Sequence, residues 1–273
     1  MSGHVATRRA PLLTLYAALV LIFIYLPVLV LILYSFNRDG VGGFPPRHLT
    51  LDWYRQLFGD APLWHAVVNS LQVAAGSVAL SLTLGLLAAL ALDRATFPGK
   101  ALFRRLVLLP LILPGIITGL SLLMFAVLAG FQRSLTLVFF GHGTALISVA
   151  TTELFAGLQK LDRAQEEASL DLGATPWQTF WRITLPNLKL SLIAASLLVF
   201  TLSMDEIAVT FFLIGSQNTL PLEIWGRLRR GITPEINAVS TLIFTVSVGF
   251  IVIWYRVRTR SLGADAQELL ERP

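Results

Sequence analysis

Residues 162–186 read DRAQEEASLDLGATPWQTFWRITLP, in which Glu167-Ala168-Ser169 precedes Gly173 and then Ile183, Leu185 and Pro186. This polar stretch interrupts a chain of 273 residues that is 55% hydrophobic and 14% charged. Its mean hydropathy is +0.71. Soluble domains carry about a quarter charged residues, so the chain reads as an all-α membrane protein with one prominent segment facing a soluble partner.

Working outward, six apolar runs approach or exceed the roughly 20 residues that a bilayer requires. They are Pro11–Ser35, Val67–Leu92, Leu106–Gly130, Leu135–Leu158, Leu188–Ile214 and Ile236–Tyr255. The runs are continuous rather than alternating, which selects helices over a barrel. The first is too long for a signal-peptide core and reads as a retained anchor. With the N-terminus inside, Arg8, Arg9, Arg94, Lys100, Arg104, Arg105, Lys160, Arg163, Arg182, Lys189, Arg256, Arg258, Arg260 and Arg272 face the cytoplasm. That leaves Arg38, Arg47, Arg55, Arg133, Arg227, Arg229 and Arg230 outside, a ratio of fourteen to seven. The bias selects an N-in, C-in arrangement and puts residues 159–187 in a cytoplasmic loop. The whole chain, 1–273, is expected to be one membrane domain, with a flexible polar tail at 261–273.

Within the loop, Asp162 and Gln165 have the spacing of a capping box. A helix of about 15 Å is expected to follow to Leu172 and to end on Gly173 in the left-handed conformation. Thr175-Pro176-Trp177-Gln178 is a second capping box with proline at the first helical position. The next membrane helix is expected to start at Pro186. Ala168 and Ser169 permit close approach, and Glu166, Glu167 and Asp171 offer charge. The alternative is an amphipathic hairpin on the inner leaflet, against which the acidic residues argue.

Other features bound the function. The net charge of +5 is explained by basic cytoplasmic loops without invoking nucleic acid. There is no cysteine, and His4, His48, His65 and His142 lack metal-ligand spacing. No metal or cofactor is expected on this chain. Gly99-Lys100 is followed by alanine and has Arg94 where a phosphate-binding loop needs glycine, so ATP hydrolysis belongs elsewhere. His142, between two glycines, reads as a polar turn at the outer interface. Pro110 and Pro114 suggest a kink in the third run. Glu153 is read as snorkelling towards Lys160, and residues 50–58 as a surface helix with Trp53, Tyr54 and Phe58 at the interface.

Asp205 and Glu206 sit in the outer half of the fifth run, fifteen uncharged residues after Lys189. Carboxylates in a membrane are expensive, and two readings stand. The pair either lines an outward vestibule that attracts a cation, or forms an ion pair or helix end. Arg227, Arg229 and Arg230 run against the charge rule. They contact a soluble partner, line a gate, or snorkel to lipid phosphates.

The segment Glu167-Ala168-Ser169…Gly173…Ile183-x-Leu185-Pro186 resembles the EAA signature of ABC importer permeases, with serine for the usual third alanine. The resemblance implies the type I importer permease fold, six membrane helices and an inner-membrane location. In that family the loop is a coupling helix seated in a cytoplasmic ATPase, which implies coupling roles for Glu166, Glu167, Ala168, Ser169, Asp171, Gly173, Ile183, Leu185 and Pro186. A second permease chain, two ATPases carrying ATP and magnesium, and an extracytoplasmic binding protein are the implied partners. Ser203-Met204-Asp205-Glu206-Ile207, Phe211-Phe212, Thr219-Leu220-Pro221, Leu228-Arg229-Arg230-Gly231 and Pro234-Glu235-Ile236-Asn237-Ala238 resemble the C-type subunit of spermidine/putrescine importers, as does Leu51-Asp52-Trp53-Tyr54. That implies a polyamine substrate, with Asp205, Glu206 and Trp225 on the pathway and Arg227, Arg229 and Arg230 at a gate or binding-protein contact. An aminoalkylphosphonate or opine carried by the same machinery is the alternative. A secondary transporter is the distant one, since no internal repeat is evident.

Overall fold

A computed structural model of the chain describes residues 10–39, 45–46, 48–231, 234–249 and 252. His4, Arg8, Arg9, Arg47, Arg256, Arg258, Arg260, Arg272 and the expected tail at 261–273 lie outside the described residues. The described chain is helical throughout, and its single β feature is an isolated bridge between Asn37 and Leu49. It divides into two compact units, residues 62–225 and residues 1–61 with 226–273.

In the unit of the two chain ends, α1 (Ala10–Tyr34) is a 25-residue helix that keeps Pro27 inside it. The most apolar stretch of its span Leu12–Tyr34 has no residue buried within the chain, as in a helix facing lipid or a partner. α2 (Asp52–Phe58) follows the bridge. Trp53 Nε1 donates to the Asn37 carbonyl at 2.9 Å, and the Tyr54 and Ser35 hydroxyls lie 2.7 Å apart. These two aromatics thus staple α2 to the end of α1, and only Phe58 stays exposed as the interface reading requires.

In the unit 62–225, α3 (Ala61–Arg94) is the other uninterrupted span. It buries Ala66, Ser70, Ala74, Ser77, Ser81, Gly85 and Ala89, a stripe of small residues three or four apart. Small residues let membrane helices pack backbone to backbone, where lipid offers no hydrophobic drive for association. A Cβ at Gly85 would stand 2.7 Å from that of Ala150. Ser81 Oγ donates to the Gly143 carbonyl at 2.7 Å.

The remaining apolar runs are broken. α4 (Lys100–Leu108) continues through a 3₁₀ turn at Leu109–Leu111 and then bends by 106° into α5 (Gly115–Leu128). The third run is therefore two legs rather than one kinked helix, because Pro110 and Pro114 fall one turn apart and Pro114 opens the second leg in an extended conformation. α6 (Leu135–Ala145) and α7 (Ile147–Leu158) meet at 40°. Glu153 is half-buried on α7, and the ion pairs among the described residues do not join it to Lys160.

After α8 (Ala164–Asp171) and α9 (Pro176–Thr179), a π-turn at Phe180–Thr184 leads into α10 (Leu185–Asn187). α10 carries Pro186 inside the helical path, and the chain turns by 67° at Leu188 before α11 (Lys189–Asp205). The membrane helix thus begins after Leu188 rather than at Pro186. The fifth run breaks again at Glu206–Ile207 before α12 (Ala208–Leu213). α13 (Leu220–Arg230) follows, and α14 covers 234–249. α14 contains most of the sixth run, whose end lies outside the described residues. Counting each bent pair as one crossing gives up to five spans among the described residues.

Two core clusters organise this unit. Val73, Val138, Val209, Leu213 and Ile214 form one, and Ala89, Leu154, Leu158, Leu188 and Ala195 the other. Both draw on α3 and on the broken fifth run, so α3 is the post against which the other legs stand.

Candidate functional site: the polar loop and its tether

The loop is built from local hydrogen bonds. α8 starts at Ala164, whose N–H is accepted by Asp162 Oδ1 at 3.0 Å. The expected Asp162–Gln165 capping box does not form, because the Gln165 side chain instead accepts from Asn187 Nδ2 at 2.9 Å. At the other end Gly173 adopts φ +85° as expected. Its N–H donates to the Leu170 carbonyl at 2.9 Å, and that of Ala174 to Ser169 at 3.1 Å. This is a Schellman motif, closing α8 after eight residues, about 12 Å. Thr175 and Gln178 then form the expected capping box, with Pro176 at the start of α9. Ser169 and Thr179 hydroxyls lie 3.1 Å apart, so the serine that replaces the usual alanine cross-links the two arms of the hairpin.

Glu166 departs from expectation. It is 6% exposed, and its carboxylate is gripped by the Arg94 guanidinium and the Thr184 hydroxyl. It offers no charge at the surface of this chain. Arg94 also contacts Asp93, whose carboxylate accepts from Arg163 Nη2 at 3.0 Å. The resulting cluster fastens the start of α8 to the end of α3 and to the π-turn. Removing Glu166 would take from Arg94 one of its two carboxylate partners, which is what makes the pair a tether. Arg94, Asp93 and Thr184 carried no signal in the sequence beyond lying near run ends.

The outward side of the loop is different. Glu167, Ala168, Asp171 and Gly173 are exposed, Ser169, Ile183 and Leu185 are half-buried, and Pro186 is exposed. Beside them stand apolar side chains open to solvent: Leu172 at 90% exposure, with Leu170, Trp177 and Trp181. Trp177 and Trp181 pack edge to face on each other. Large apolar groups at the tip of a charged hairpin mark an interaction surface.

At the break of the fifth run, Asp205 is exposed and ends α11. Glu206 is half-buried, and its Oε1 accepts the Val209 N–H at 2.9 Å, satisfying one of the free amides that open α12. Of the two readings, Glu206 takes the helix-end role, while Asp205 remains open. His142 corrects the sequence reading: it is a buried residue inside α6, 1% exposed, not an interfacial turn. Its Nδ1 lies 2.9 Å from Ser203 Oγ and its Nε2 2.9 Å from Thr210 Oγ1. The imidazole therefore bridges the break, holding α11 and α12 on either side of the acidic pair. The flanking glycines are required by crowding, since a Cβ at Gly141 would meet Leu213 at 2.4 Å and one at Gly143 would meet Leu80 at 2.5 Å.

Trp225 is exposed on α13. In the other unit, Arg227 is held by Asp60, with Nη2 to Oδ1 at 3.0 Å. That pairing engages this arginine within the chain. Arg229 and Arg230 are exposed.

Residues 81–259 match the model of the family described as binding-protein-dependent transport system inner membrane component. The chain belongs to that family. The putrescine transport system permease protein PotI of Escherichia coli K12 is 38% identical over 247 residues, covering 85% of this chain and 86% of PotI. The spermidine/putrescine transport system permease protein PotC of Haemophilus influenzae is 30% identical over 247 residues, covering 90% of this chain and 94% of PotC. Among solved structures, a bacterial ABC transporter that imports the acidic polysaccharide alginate matches with TM-score 0.69 at 16% identity. That match covers 94% of this chain and 99% of the other, and it shows a shared fold. A second structure of the alginate transporter, in complex with a pentasaccharide-bound periplasmic protein, matches with TM-score 0.67. The chain is thus an inner-membrane permease of the ABC importer type with an all-α fold.

Proposed function

We propose that this permease forms half of an ATP-driven import path for a small polyamine. The observation that carries the substrate class is the 38% identity to a putrescine permease over most of both chains. The exposed Asp205 carboxylate, presented at a helix break, supports it. Such breaks free backbone and side-chain polar groups to face a pathway, and a carboxylate there attracts an ammonium. The whole chain acts as one membrane domain of six crossings with both ends in the cytoplasm. A second permease chain completes the path, an extracytoplasmic binding protein delivers the solute, and two ATPases hold ATP and magnesium.

Residues 159–187 are the coupling loop. Glu167, Ala168, Asp171 and the apolar tip at Leu172 and Trp177 meet one ATPase. Gly173 sets the angle between the arms, and Glu166 passes the loop's displacement to α3 through Arg94. Closure of the ATPases moves the loop, and the helices rock to open the path to alternate sides. Arg229 and Arg230 are available to the binding protein.

The test is uptake by proteoliposomes holding the complete transporter. Labelled putrescine and a labelled aminoalkylphosphonate are compared, with and without ATP in the ATPase-facing compartment. ATP-dependent putrescine accumulation is expected. Uptake of the phosphonate alone would overturn the substrate, and accumulation driven by an ion gradient without ATP would overturn the energy source.

A further inference from the structure

We infer that α4 and the foot of α7 form a binding site for an anionic phospholipid, headgroup and chain together. The site is a cavity of about 620 Å³ with Lys100, Arg104 and Arg105 above an apolar floor of Leu92, Leu108 and Phe155. Arg104 stacks over the Phe155 ring at 5.6 Å, and Lys100 Nζ donates to the Ala95 carbonyl at 2.8 Å. Among the described residues, none of the three cations is in an ion pair with a carboxylate. The built cavity therefore carries uncompensated positive charge beside a greasy surface.

The direction of α4 says what occupies it. The leg Lys100–Leu111 meets α5 at 106°, so when α5 crosses the bilayer α4 lies nearly in the membrane plane. Leu102, Leu106 and Leu109, at helical spacing, are 59%, 57% and 45% exposed on it. A helix in that attitude, with an apolar stripe and basic residues, is the form of an interfacial anchor. Basic pockets between membrane helices on the cytoplasmic side attract anionic headgroups, at about 1 kcal/mol for each Lys or Arg near the surface. Arg104 and Arg105 present forks suited to a phosphodiester, and the cavity floor accepts the first methylenes of an acyl chain. The residues lining the site include neither Asp205 nor any residue of the loop 159–187, and the site requires no part of the substrate assignment.

The experiment uses the complete transporter in neutral detergent, with bound lipid counted by native mass spectrometry. Dioleoyl-phosphatidylglycerol, dioleoyl-phosphatidylcholine and inorganic phosphate are titrated separately. Phosphatidylglycerol is expected to bind well below the concentration at which the other two do. Arg104→Gln with Arg105→Gln is expected to weaken it by about thirtyfold, and Arg104→Lys with Arg105→Lys by far less. Equal retention of phosphatidylcholine, unchanged phosphatidylglycerol binding in the glutamine variant, or phosphate binding as tight as the lipid would each overturn the site. Loss of an ATPase chain from the glutamine variant would also overturn it, by making this a protein contact. Separately, Thr96→Cys labelled only from the cytoplasmic side of vesicles is expected. Labelling from outside would sink the orientation.

Discussion

The hairpin of residues 162–187 and the membrane legs of residues 100–158 and 189–213 are held together in opposite ways. The turn of the hairpin is shaped by bonds between residues two to ten apart: the Asp162 cap, the Schellman closure on Gly173, the Thr175 box and the Ser169–Thr179 link. The membrane legs are set by partners sixty or more residues away, such as His142 with Ser203 and Thr210 or Ser81 with Gly143. Polar chain outside lipid can shape itself. Helix breaks inside lipid need polar partners from other helices, because a freed backbone group has no water to turn to. Glu166 and Arg163 join the two regimes, hairpin residues bound 72 and 70 positions away at Arg94 and Asp93.

That contrast can be broken by mutation. His142→Ala removes two buried hydrogen bonds and leaves a cavity among α6, α11 and α12, and it is expected to destabilise the transporter by about 3 kcal/mol. Thermal unfolding in detergent reads it, and an unchanged transition would mean that the break holds itself. Glu166→Ala is expected to cost about 2 kcal/mol, less than a fully buried pair because Arg94 keeps 32% of its side chain exposed. Glu166→Gln, which keeps a partner for Thr184, should cost about half as much on the same assay. If Glu166→Gln melts with the wild type, the charge on Glu166 plays no part in the tether.

Gly173→Val tests the local regime. Beyond its chain neighbours no atom lies within 4 Å of the position a Cβ would take, so the cost is that of a β-branched residue at φ +85°, about 1–2 kcal/mol. The expected result is folded protein whose ATPase is no longer stimulated by loaded binding protein, with uptake down about tenfold. Normal coupling in that variant would show that the turn angle is immaterial. Thr175→Ala, which removes one cap from α9, should lower stability by about 1 kcal/mol and coupling by less than Gly173→Val does. A larger effect would reveal a contact to the ATPase at Thr175 itself.

The same division decides what could be read from the sequence. Gly173, Thr175, Pro176 and Gln178 announce their structure because each acts on its own neighbours. Asp162 and Gln165 have capping spacing, yet Asn187, 22 residues on, takes the glutamine. His142 was misread for the same reason. Two flanking glycines signal a turn only when nothing presses on them, and here Leu213 and Leu80 do. Glu206 looked like half of a charge pair, but the break that makes it a cap is fixed by α6. The prolines of the third run signalled a kink, and their spacing of one turn made it a corner. Arg227 was grouped with Arg229 and Arg230 by sequence and was separated from them by Asp60.

In the proposed function, the outward face of the hairpin is gripped by a cytoplasmic ATPase while Glu166 holds its inner face to α3. Because the chain has no cysteine, Leu172→Cys places a single thiol at the exposed tip. A bifunctional maleimide applied to the assembled transporter is expected to link it to the ATPase chain, with a yield that changes when ATP is bound. Efficient reaction of that thiol with a lipid-dissolved maleimide, and no link to the ATPase in either nucleotide state, would mean that the hairpin lies on the membrane and that the account is wrong.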